Sequence, residues 1–219
     1  GMHELQHDYA PRLRGAVPLG IPNKAEIARQ RRDVCDSETV VLTRALTEPE
    51  WDKVRAFVRR TSRESLRLRF GQAADFADDR MLKRFFDIDG VSGEMIWMLE
   101  EGGAICAIAH LVRLSPWHAE IALIVRSDRA RRGIGEKLLR TTLARAARHD
   151  LNTLSALVLY ENTAMLRLAR KVGFEPRKSS GLTVELEFDL AKVRNVVRDT
   201  GTAAACAGAP VDSTEAMIR

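Results

Sequence analysis

AEIALIVRSDRARRGIG, from Ala119 to Gly135, is the stretch of sequence that decides the fold. An apolar run ends at Val125, a short polar link follows, and two arginines precede the glycines at positions 133 and 135. This order predicts a strand, a loop and the start of a helix. The first amide groups of a helix lack acceptors within the helix, and the helix dipole is positive at that end. The loop therefore predicts an anion site, although a simple turn before a helix would give the same pattern.

The composition indicates one globular domain of ordinary size. The chain has 219 residues, of which 45% are hydrophobic and 30% are charged, and this suits one domain with additional tails. No apolar run approaches the length that spans a membrane. The three cysteines, Cys35, Cys106 and Cys206, lack the spacing of metal ligands. We therefore expect free thiols in a reducing cytoplasm, no metal site and no membrane association.

The net charge of +5 raises the question of a nucleic-acid partner. Aromatic residues make up only 5% of the chain and are not interleaved with the basic residues, so the composition argues against such a partner. An acidic ligand such as a nucleotide accounts for part of the charge equally well. The sequence does not fix the oligomeric state, and a homodimer is left open.

Hydropathy patterns divide the chain into a core domain and two tails. Residues 1–37 contain three prolines and a basic cluster at Arg29, Arg31 and Arg32, so we predict a flexible basic arm. Residues 191–219 are rich in small side chains, which predicts a flexible C-terminal tail. Between them, in residues 38–190, strand-like and helix-like periods alternate. This predicts an α+β fold, with one mixed, mostly antiparallel sheet and helices on both faces.

The individual elements follow from the same patterns. Strands are predicted at Thr39–Leu46, Met95–Glu100, Ala104–Leu114, His118–Val125, Thr153–Leu159, Phe174–Lys178 and Thr183–Phe188. Helices are predicted after the capping box Thr47-Glu48-Pro49-Glu50 and at Ser62–Phe70, Asp78–Phe86, Gly133–Arg148 and Asn162–Val172. This order places the glycine loop between the fourth predicted strand and the helix that follows it.

Three phosphate-binding motifs can be compared with the glycine loop. A dinucleotide-binding fingerprint needs a third glycine where Leu138 stands, and a Walker loop needs Lys where Glu136 follows Gly135. The six residues ARRGIG, which begin at Ala130, instead resemble motif A of the GNAT superfamily of N-acetyltransferases. In that motif, Arg or Gln, two variable residues, Gly, one variable residue, and Gly or Ala follow a strand that ends in Val.

A second segment supports this resemblance. ENTAMLRLARKVGF, from Glu161 to Phe174, is similar to the GNAT signature that starts with Asn and ends with Gly-Phe. Asn162 and the final Gly-Phe pair match it. The first segment departs from the family at Ala130, where Arg or Gln is usual. The second departs at Met165, where Ala is common, and at Ala169, where Tyr is common.

Two further segments are similar to one branch of the family. TSRESLRLRF at residues 61–70 and AEIALIVRSD at residues 119–128 resemble the acetyltransferase domain of bacterial Pat-type protein-lysine acetyltransferases. The family resemblance implies a GNAT-like sheet in which His118–Val125 splays from Thr153–Leu159. It also implies acetyl-CoA as cosubstrate and an amine as acceptor, either a protein lysine or a small-molecule amine.

The resemblance further implies the residues that would bind acetyl-CoA. The pyrophosphate would lie on the backbone amides of five successive residues, Arg131, Arg132, Gly133, Ile134 and Gly135. The two glycines would let the backbone approach the phosphates closely, and Arg129 or Arg131 could supply the charge missing at Ala130. The pantetheine amides would pair with free backbone groups near Leu123 and Val125. Asn162 would either hydrogen-bond the pantetheine or cap its own helix.

Glu120 is the predicted catalytic base. It is a carboxylate in an otherwise apolar strand, and its side chain faces away from those of Ala119 and Ile121. Transfer to an amine requires a neutral nucleophile, so a base must take its proton. Pat-type enzymes place a Glu in the matching strand, although a surface Glu near the strand start would give the same pattern. The rival function is a catalytically idle acyl-CoA-binding sensor or scaffold module, which the alanine departures keep open.

Three further features are interpreted as structural. His110 is expected to be a satisfied or exposed strand residue, although it could line an acceptor cleft. His118 is expected to be exposed at a turn. The arginines at positions 63, 67 and 69 are expected on a solvated helix face, although an acidic acceptor could bind there.

Overall fold

The structure is a computed structural model that describes residues 39–195, except residues 72–74 and 77. The strands are β1 (Thr39–Leu42), β2 (Glu94–Glu101), β3 (Ala104–Ser115), β4 (His118–Val125), β5 (Thr153–Leu159), β6 (Glu175–Ser180) and β7 (Thr183–Asp189). The α-helices are α1 (Glu48–Arg59), α2 (Arg63–Phe70), α3 (Asp79–Phe86), α4 (Ile134–Ala146) and α5 (Thr163–Val172). A short 3₁₀ turn, Ser127–Arg129, follows β4.

The strands form one seven-stranded sheet in the order β1-β2-β3-β4-β5-β7-β6. All neighbouring strands are antiparallel except β4 and β5, which run parallel. The parallel ladder joins only His118 to Thr153, Ala119 to Leu154 and Glu120 to Ser155. Beyond Glu120 the two strands diverge and leave a gap in the sheet. The predicted α+β architecture and the splayed strand pair are confirmed.

Helices cover both faces of the sheet. The α4 face carries a cluster to which Ile121 and Leu123 of β4 and Leu138 of α4 belong. The α1 face carries a second cluster, in which Phe57 of α1 packs with Ile124 of β4. Because side chains alternate along a strand, Glu120 and Ala122 lie on the α1 face together with Ile124. The prediction that the Glu120 side chain lies on the opposite face from Ala119 and Ile121 is therefore confirmed.

Local signals account for the ends of two helices. α1 begins with the predicted capping box, in which the amide of Thr47 donates to Glu50 Oε2 at 2.8 Å. The same carboxylate binds Arg44, and this hydrogen bond holds the pKa of Glu50 at about 2. α5 ends at Gly173 in the left-handed conformation, as predicted.

Several element bounds differ from the predictions. The first strand stops at Leu42 rather than Leu46, because Arg44 turns out of the strand to bind Glu50. The last hairpin turns after Ser180, so two residues expected in the turn, at positions 179 and 180, pair within the ladder. The helix after the glycine loop ends at Ala146 rather than at residue 148.

The packed part of the chain extends beyond Leu190, where the predicted tail begins. Residues 191–195 form a helical turn, and Val193 packs against the α4-face cluster. Arg194 Nη2 donates to the carbonyl oxygen of Leu151 at 3.0 Å. The predicted basic arm and the chain from residue 196 onward lie outside the described residues. Within residues 39–195 as described, no helix is long and apolar enough to cross a membrane.

Candidate active site

The divergence of β4 and β5 opens a cleft whose walls come from four elements. Residues 120–123 of β4 and residues 156–158 of β5 form two sides. Leu68 and Arg69 contribute from α2, and Asn162 and Met165 contribute from the start of α5. The walls are mostly apolar, with polar groups at Glu120, Arg69 and Asn162. Sequence reasoning placed Glu120, Leu123 and Asn162 in one site, and the structure brings these three residues to the same cleft.

Backbone groups of β4 point into the gap. The Trp117 carbonyl accepts from the amide of Thr153 on β5 at 3.1 Å, and the amide of Arg126 donates to a β3 carbonyl at 2.8 Å. Because backbone polar groups alternate sides along a strand, odd-numbered residues of β4 direct theirs toward β5. Leu123 and Val125 therefore present N–H and C=O groups to the side where β5 has left the ladder.

The loop between β4 and α4 holds two residues in the left-handed conformation. Arg131 has a φ of 62° and Gly133 a φ of 75°. Within the described part of the chain, no other non-glycine residue has a positive φ. This conformation costs a residue with a Cβ about 1–2 kcal/mol, and strained residues concentrate at functional sites. Successive N–H groups around left-handed residues form concavities that suit anions.

The two glycines of the loop are required for different reasons. Gly133 caps α4 with a positive φ, and a Cβ there would meet no atom within 4 Å. At Gly135 a Cβ would lie 3.1 Å from Val125 Cγ2 and 3.2 Å from Leu168 Cδ2. Gly133 thus leaves the helix N-terminus open to solvent, whereas Gly135 lets α4 sit close to β4 and α5. Close packing explains Gly135 without an anion, which differs from the expectation that both glycines serve phosphate approach.

The loop carries positive charge at its surface. Arg131 and Arg132 are exposed, and neither forms an ion pair with the described residues. Arg129, in contrast, is paired with Glu101 at 3.2 Å. Of the two candidates to replace the charge missing at Ala130, Arg131 is therefore the one whose guanidinium stays available.

One acidic residue, Glu136, lies in the first turn of α4. It binds Lys171 at 2.5 Å and Arg140 at 3.0 Å. The hydrogen bond from Lys171, followed by that from Arg140, lowers the pKa of Glu136. The two cations offset its charge, so the helix N-terminus retains its positive character.

Glu120 stands at the apex of the cleft. It occupies the last position at which β4 and β5 are paired, and its side chain is half-buried. Its neighbours in the ladder are Val112 on β3 and Ser155 on β5. A carboxylate thus marks the point where the paired strands give way to the open gap.

His118 and Ser155 lie beside Glu120 at the paired end of the strands. His118 Nε2 is 2.8 Å from Ser155 Oγ. Ser155 is buried and His118 is half-buried. The expectation of an exposed His118 at a turn is wrong, because its ring bonds to the neighbouring strand.

His110 is a satisfied strand histidine, one of the alternatives expected for it. It is buried on β3, and its Nε2 lies 3.2 Å from Glu94 Oε2. Burial lowers the pKa of His110, because the charged imidazolium loses hydration, and the bond to Glu94 opposes this shift.

The arginines of α2 do not share one solvated face. Arg63 is exposed, but Arg69 lines the cleft. Arg67 Nη1 donates to Glu161 Oε1 at 2.7 Å, and the same guanidinium binds Glu64 through two further hydrogen bonds. Because Glu161 directly precedes Asn162, this ion pair bridges the α2 wall and the α5 wall of the cleft. Nothing in the local sequence signals a contact between residues 67 and 161.

Asn162 caps α5, and it also lines the cleft. Its Oδ1 accepts from the amide of Met165 at 3.2 Å. Seven residues later in the same motif, Ala169 is fully buried in the α4-face cluster. The motif position at which the family usually has Tyr therefore faces the core in this chain. The nearby Tyr160, just before the helix, is 49% exposed.

Residues 58–174 match the family described as Acetyltransferase (GNAT) family. The match covers more than half of the 219-residue chain and includes both the glycine loop and α5. The chain belongs to the GNAT acetyltransferase family. The motif resemblance seen in the sequence is confirmed at this level.

Solved GNAT structures share the fold. The GNAT domain of S. lividans PAT has a TM-score of 0.60 and 24% identity, and the match covers 68% of this chain and 89% of that chain. Spermidine N-acetyltransferase from Vibrio cholerae, in complex with CoA and spermine, has a TM-score of 0.55 and 15% identity, with 73% and 100% covered. The ribosomal-protein-S18-alanine N-acetyltransferase from Escherichia coli has a TM-score of 0.51 and 15% identity, with 69% and 94% covered. At these identities the likeness establishes the shared fold.

Proposed function

We propose that this GNAT protein is an N-acetyltransferase that moves the acetyl group of acetyl-CoA directly to an amine. The observation that carries the proposal is the position of Glu120, a half-buried carboxylate at the apex of the gap between β4 and β5. A base at this point would face whatever amine approaches a thioester held in the gap. The alternative is an idle acyl-CoA-binding sensor or scaffold. The departures from the family motifs at Ala130 and Ala169 keep this alternative open.

Acetyl-CoA would bind along β4 and at the start of α4. Its pyrophosphate would lie on the amides of residues 131–135, where the left-handed Arg131 and the open surface at Gly133 support an anion. The backbone amides of Arg132 and Ile134 belong to the same run of five. The pantetheine would pair with the backbone groups that Leu123 and Val125 direct into the gap, beside Asn162.

Similarity supports the choice of cosubstrate. The Vibrio cholerae enzyme of the same fold is solved with CoA. The acceptor of this chain would be an amine, either a protein lysine or a small molecule. The structurally similar enzymes include one named for spermidine and one named for a ribosomal-protein alanine.

In the proposed reaction, the amine nitrogen attacks the thioester carbonyl carbon while Glu120 accepts the N–H proton. The carbon–sulfur bond then breaks, an amide remains, and the CoA thiolate departs. A thiolate is a weak base beside an amine, so its departure does not demand a strong acid. This is compatible with the buried Ala169, which leaves the usual tyrosine position without an acid.

Glu120→Gln tests the proposal, because it keeps size and removes basicity. We expect acetyl-CoA affinity by calorimetry to hold, while turnover falls about a hundredfold or more at neutral pH. The loss should shrink as rising pH supplies free amine. Steady CoA release would be measured with a lysine peptide, spermidine and a peptide with an N-terminal alanine. Glu100→Gln is the matched control, because Glu100 is a half-buried strand glutamate on β2 that pairs with Lys53 and does not line the cleft.

The outcomes separate the two functions. Wild-type turnover in Glu120→Gln across the pH range would place the base elsewhere. Binding of acetyl-CoA without turnover on any amine would favour the sensor. A wild-type protein that fails to bind acetyl-CoA would overturn both.

A further inference from the structure

A hydrogen-bonded pair connects the interior to the surface beside Glu120. Ser155 Oγ and His118 Nε2 are 2.8 Å apart. Ser155 is 4% exposed, whereas His118 is half-buried and follows Trp117, which is 58% exposed. The inner member of the pair is therefore a hydroxyl, and the outer member is an imidazole ring, which can both accept and release a proton.

Both members lie next to the carboxylate. Ser155 is the ladder neighbour of Glu120 on β5, and His118 precedes Glu120 by two residues on the same face of β4. Adjacent strands are about 4.8 Å apart, a separation that a carboxylate and a hydroxyl bridge directly or through one water. The three side chains thus lie on one face in adjacent ladder positions at the paired end of the strands.

This placement matters because a base must lose its proton before the next turnover. Glu120 opens onto the cleft, and in the proposed reaction the cleft is filled by thioester and amine. The route to solvent that avoids both substrates leads away from the cleft, across the paired end of β4 and β5. Ser155 and His118 occupy that route.

We propose that Ser155 and His118 relay the acceptor's proton from Glu120 to solvent, an inference that rests on Glu120 acting as the base. Protonated Glu120 donates to Ser155 Oγ while the Ser155 hydroxyl donates to His118 Nε2. Glu120 returns to carboxylate and His118 becomes imidazolium. His118 then releases its Nδ1 proton to water, and the half-buried ring exchanges its remaining Nε2 proton with solvent to regain the Nδ1–H tautomer before the next turnover. The relayed proton comes from the amine, no other substrate atom takes part, and the charges of Glu120 and His118 return to their starting values.

Neighbouring charges on the other strands suit a transient imidazolium. On β7, Glu187 lies opposite Ser155, and Asp189 lies in the same ladder row as His118. Arg177 on β6 offsets part of the Glu187 charge at 3.2 Å. The two ladder neighbours on β3 are uncharged. The charged side chains that β7 places in the two ladder rows of the pair are therefore acidic.

One cation faces the other end of the relay. Arg69 of α2 lines the cleft together with Glu120. A positive charge there repels a proton that would move from Glu120 into the cleft, so it favours the outward direction, toward His118.

His118→Ala and Ser155→Ala test the relay by rate and by rescue. We expect each to lower kcat about tenfold or more while leaving the KM for acetyl-CoA and for the amine unchanged. Added imidazole should restore kcat in His118→Ala, since it supplies a mobile proton acceptor in the vacated space. The double variant should lose no more than either single variant, because the two side chains act in one path. His149→Gln, which lies just after α4, is the control.

The outcomes distinguish this proposal from the proposed function. If Glu120→Gln is slow while folded His118→Ala and His118→Gln keep wild-type kcat, the relay is wrong and the base stands. If Glu120→Gln keeps wild-type kcat, Glu120 is not the base, and the relay that rests on it is wrong as well. A His118→Ala defect that imidazole does not rescue, or that raises KM as much as it lowers kcat, shows a merely structural pair and overturns the relay. Circular dichroism and acetyl-CoA calorimetry establish that each variant is folded.

Discussion

The two ends of the β4–β5 pair differ in the kind of group they present. Where the strands are joined, three polar side chains occupy adjacent ladder positions on one face, those of His118, Glu120 and Ser155. Where the strands diverge, Leu123 and Val125 present backbone groups, and the loop that follows is shaped by left-handed residues. One strand therefore offers polar side chains at one end and free backbone groups at the other. The joined end should be sensitive to side-chain chemistry, and the diverging end to backbone shape.

The largest effect at the diverging end is expected from Gly133→Val. A valine would force a left-handed φ on a β-branched residue, at about 1–2 kcal/mol, and its side chain would fill the open space before the helix amides. We expect the protein to stay folded and acetyl-CoA binding to become unmeasurable by calorimetry. Activity should be lost through binding rather than through the chemical step.

Gly181→Val is the matched control for this change. Gly181 also has a positive φ, of 56°, and a Cβ there would meet no atom within 4 Å, but it lies in the β6–β7 turn. The substitution should lower the free energy of unfolding by a similar amount and leave affinity unchanged. Unchanged affinity in Gly133→Val would reject the anion site and, with it, the functional contrast between the two ends.

A smaller effect is expected from Gly135→Ala, which should lower the free energy of unfolding rather than the affinity for acetyl-CoA. The added methyl would press on the ends of Val125 and Leu168 at 3.1 and 3.2 Å, and overpacking typically costs about 1–3 kcal/mol. The gain in helix propensity, roughly 1 kcal/mol, offsets part of this. We expect urea unfolding to show a net loss of about 1 kcal/mol while affinity for acetyl-CoA changes little. An affinity loss as large as that of Gly133→Val would mean that Gly135 faces the ligand.

Features with local causes were predictable from the sequence. The capping box at Thr47, the helix stop at Gly173 and the bounds of His118–Val125 depend on neighbouring residues, and all three are confirmed. The predicted end of the first strand, Leu46, was wrong, because the observed end depends on Arg44 reaching across a loop to Glu50.

The cleft was only partly predictable. Glu120 and the glycine loop carry sequence signals, whereas the wall contributed by α2 does not, since residues 67–69 meet the start of α5 only through the tertiary fold. The packing role of Gly135 was missed for the same reason, because its neighbour Leu168 belongs to another helix. Short-range rules describe single elements, and they do not show which elements meet across a gap.

The smallest effect is expected from the Arg67–Glu161 bridge, which spans the diverging end without touching the joined end. Exposed ion pairs contribute little, so Arg67→Gln should change the KM for acetyl-CoA by about threefold at most and leave kcat unchanged. Salt should bring the wild type toward the variant through screening. Arg67 lowers the pKa of Glu161 below its ordinary 4.5, so the bridge is intact at neutral pH and is lost only as the pH falls through that lowered value.

Arg55→Gln removes a similarly exposed arginine that pairs with Asp79, away from the cleft, and should leave KM unchanged. A tenfold change in KM, or an equal change in Arg55→Gln, would show that the two walls are not coupled in this way.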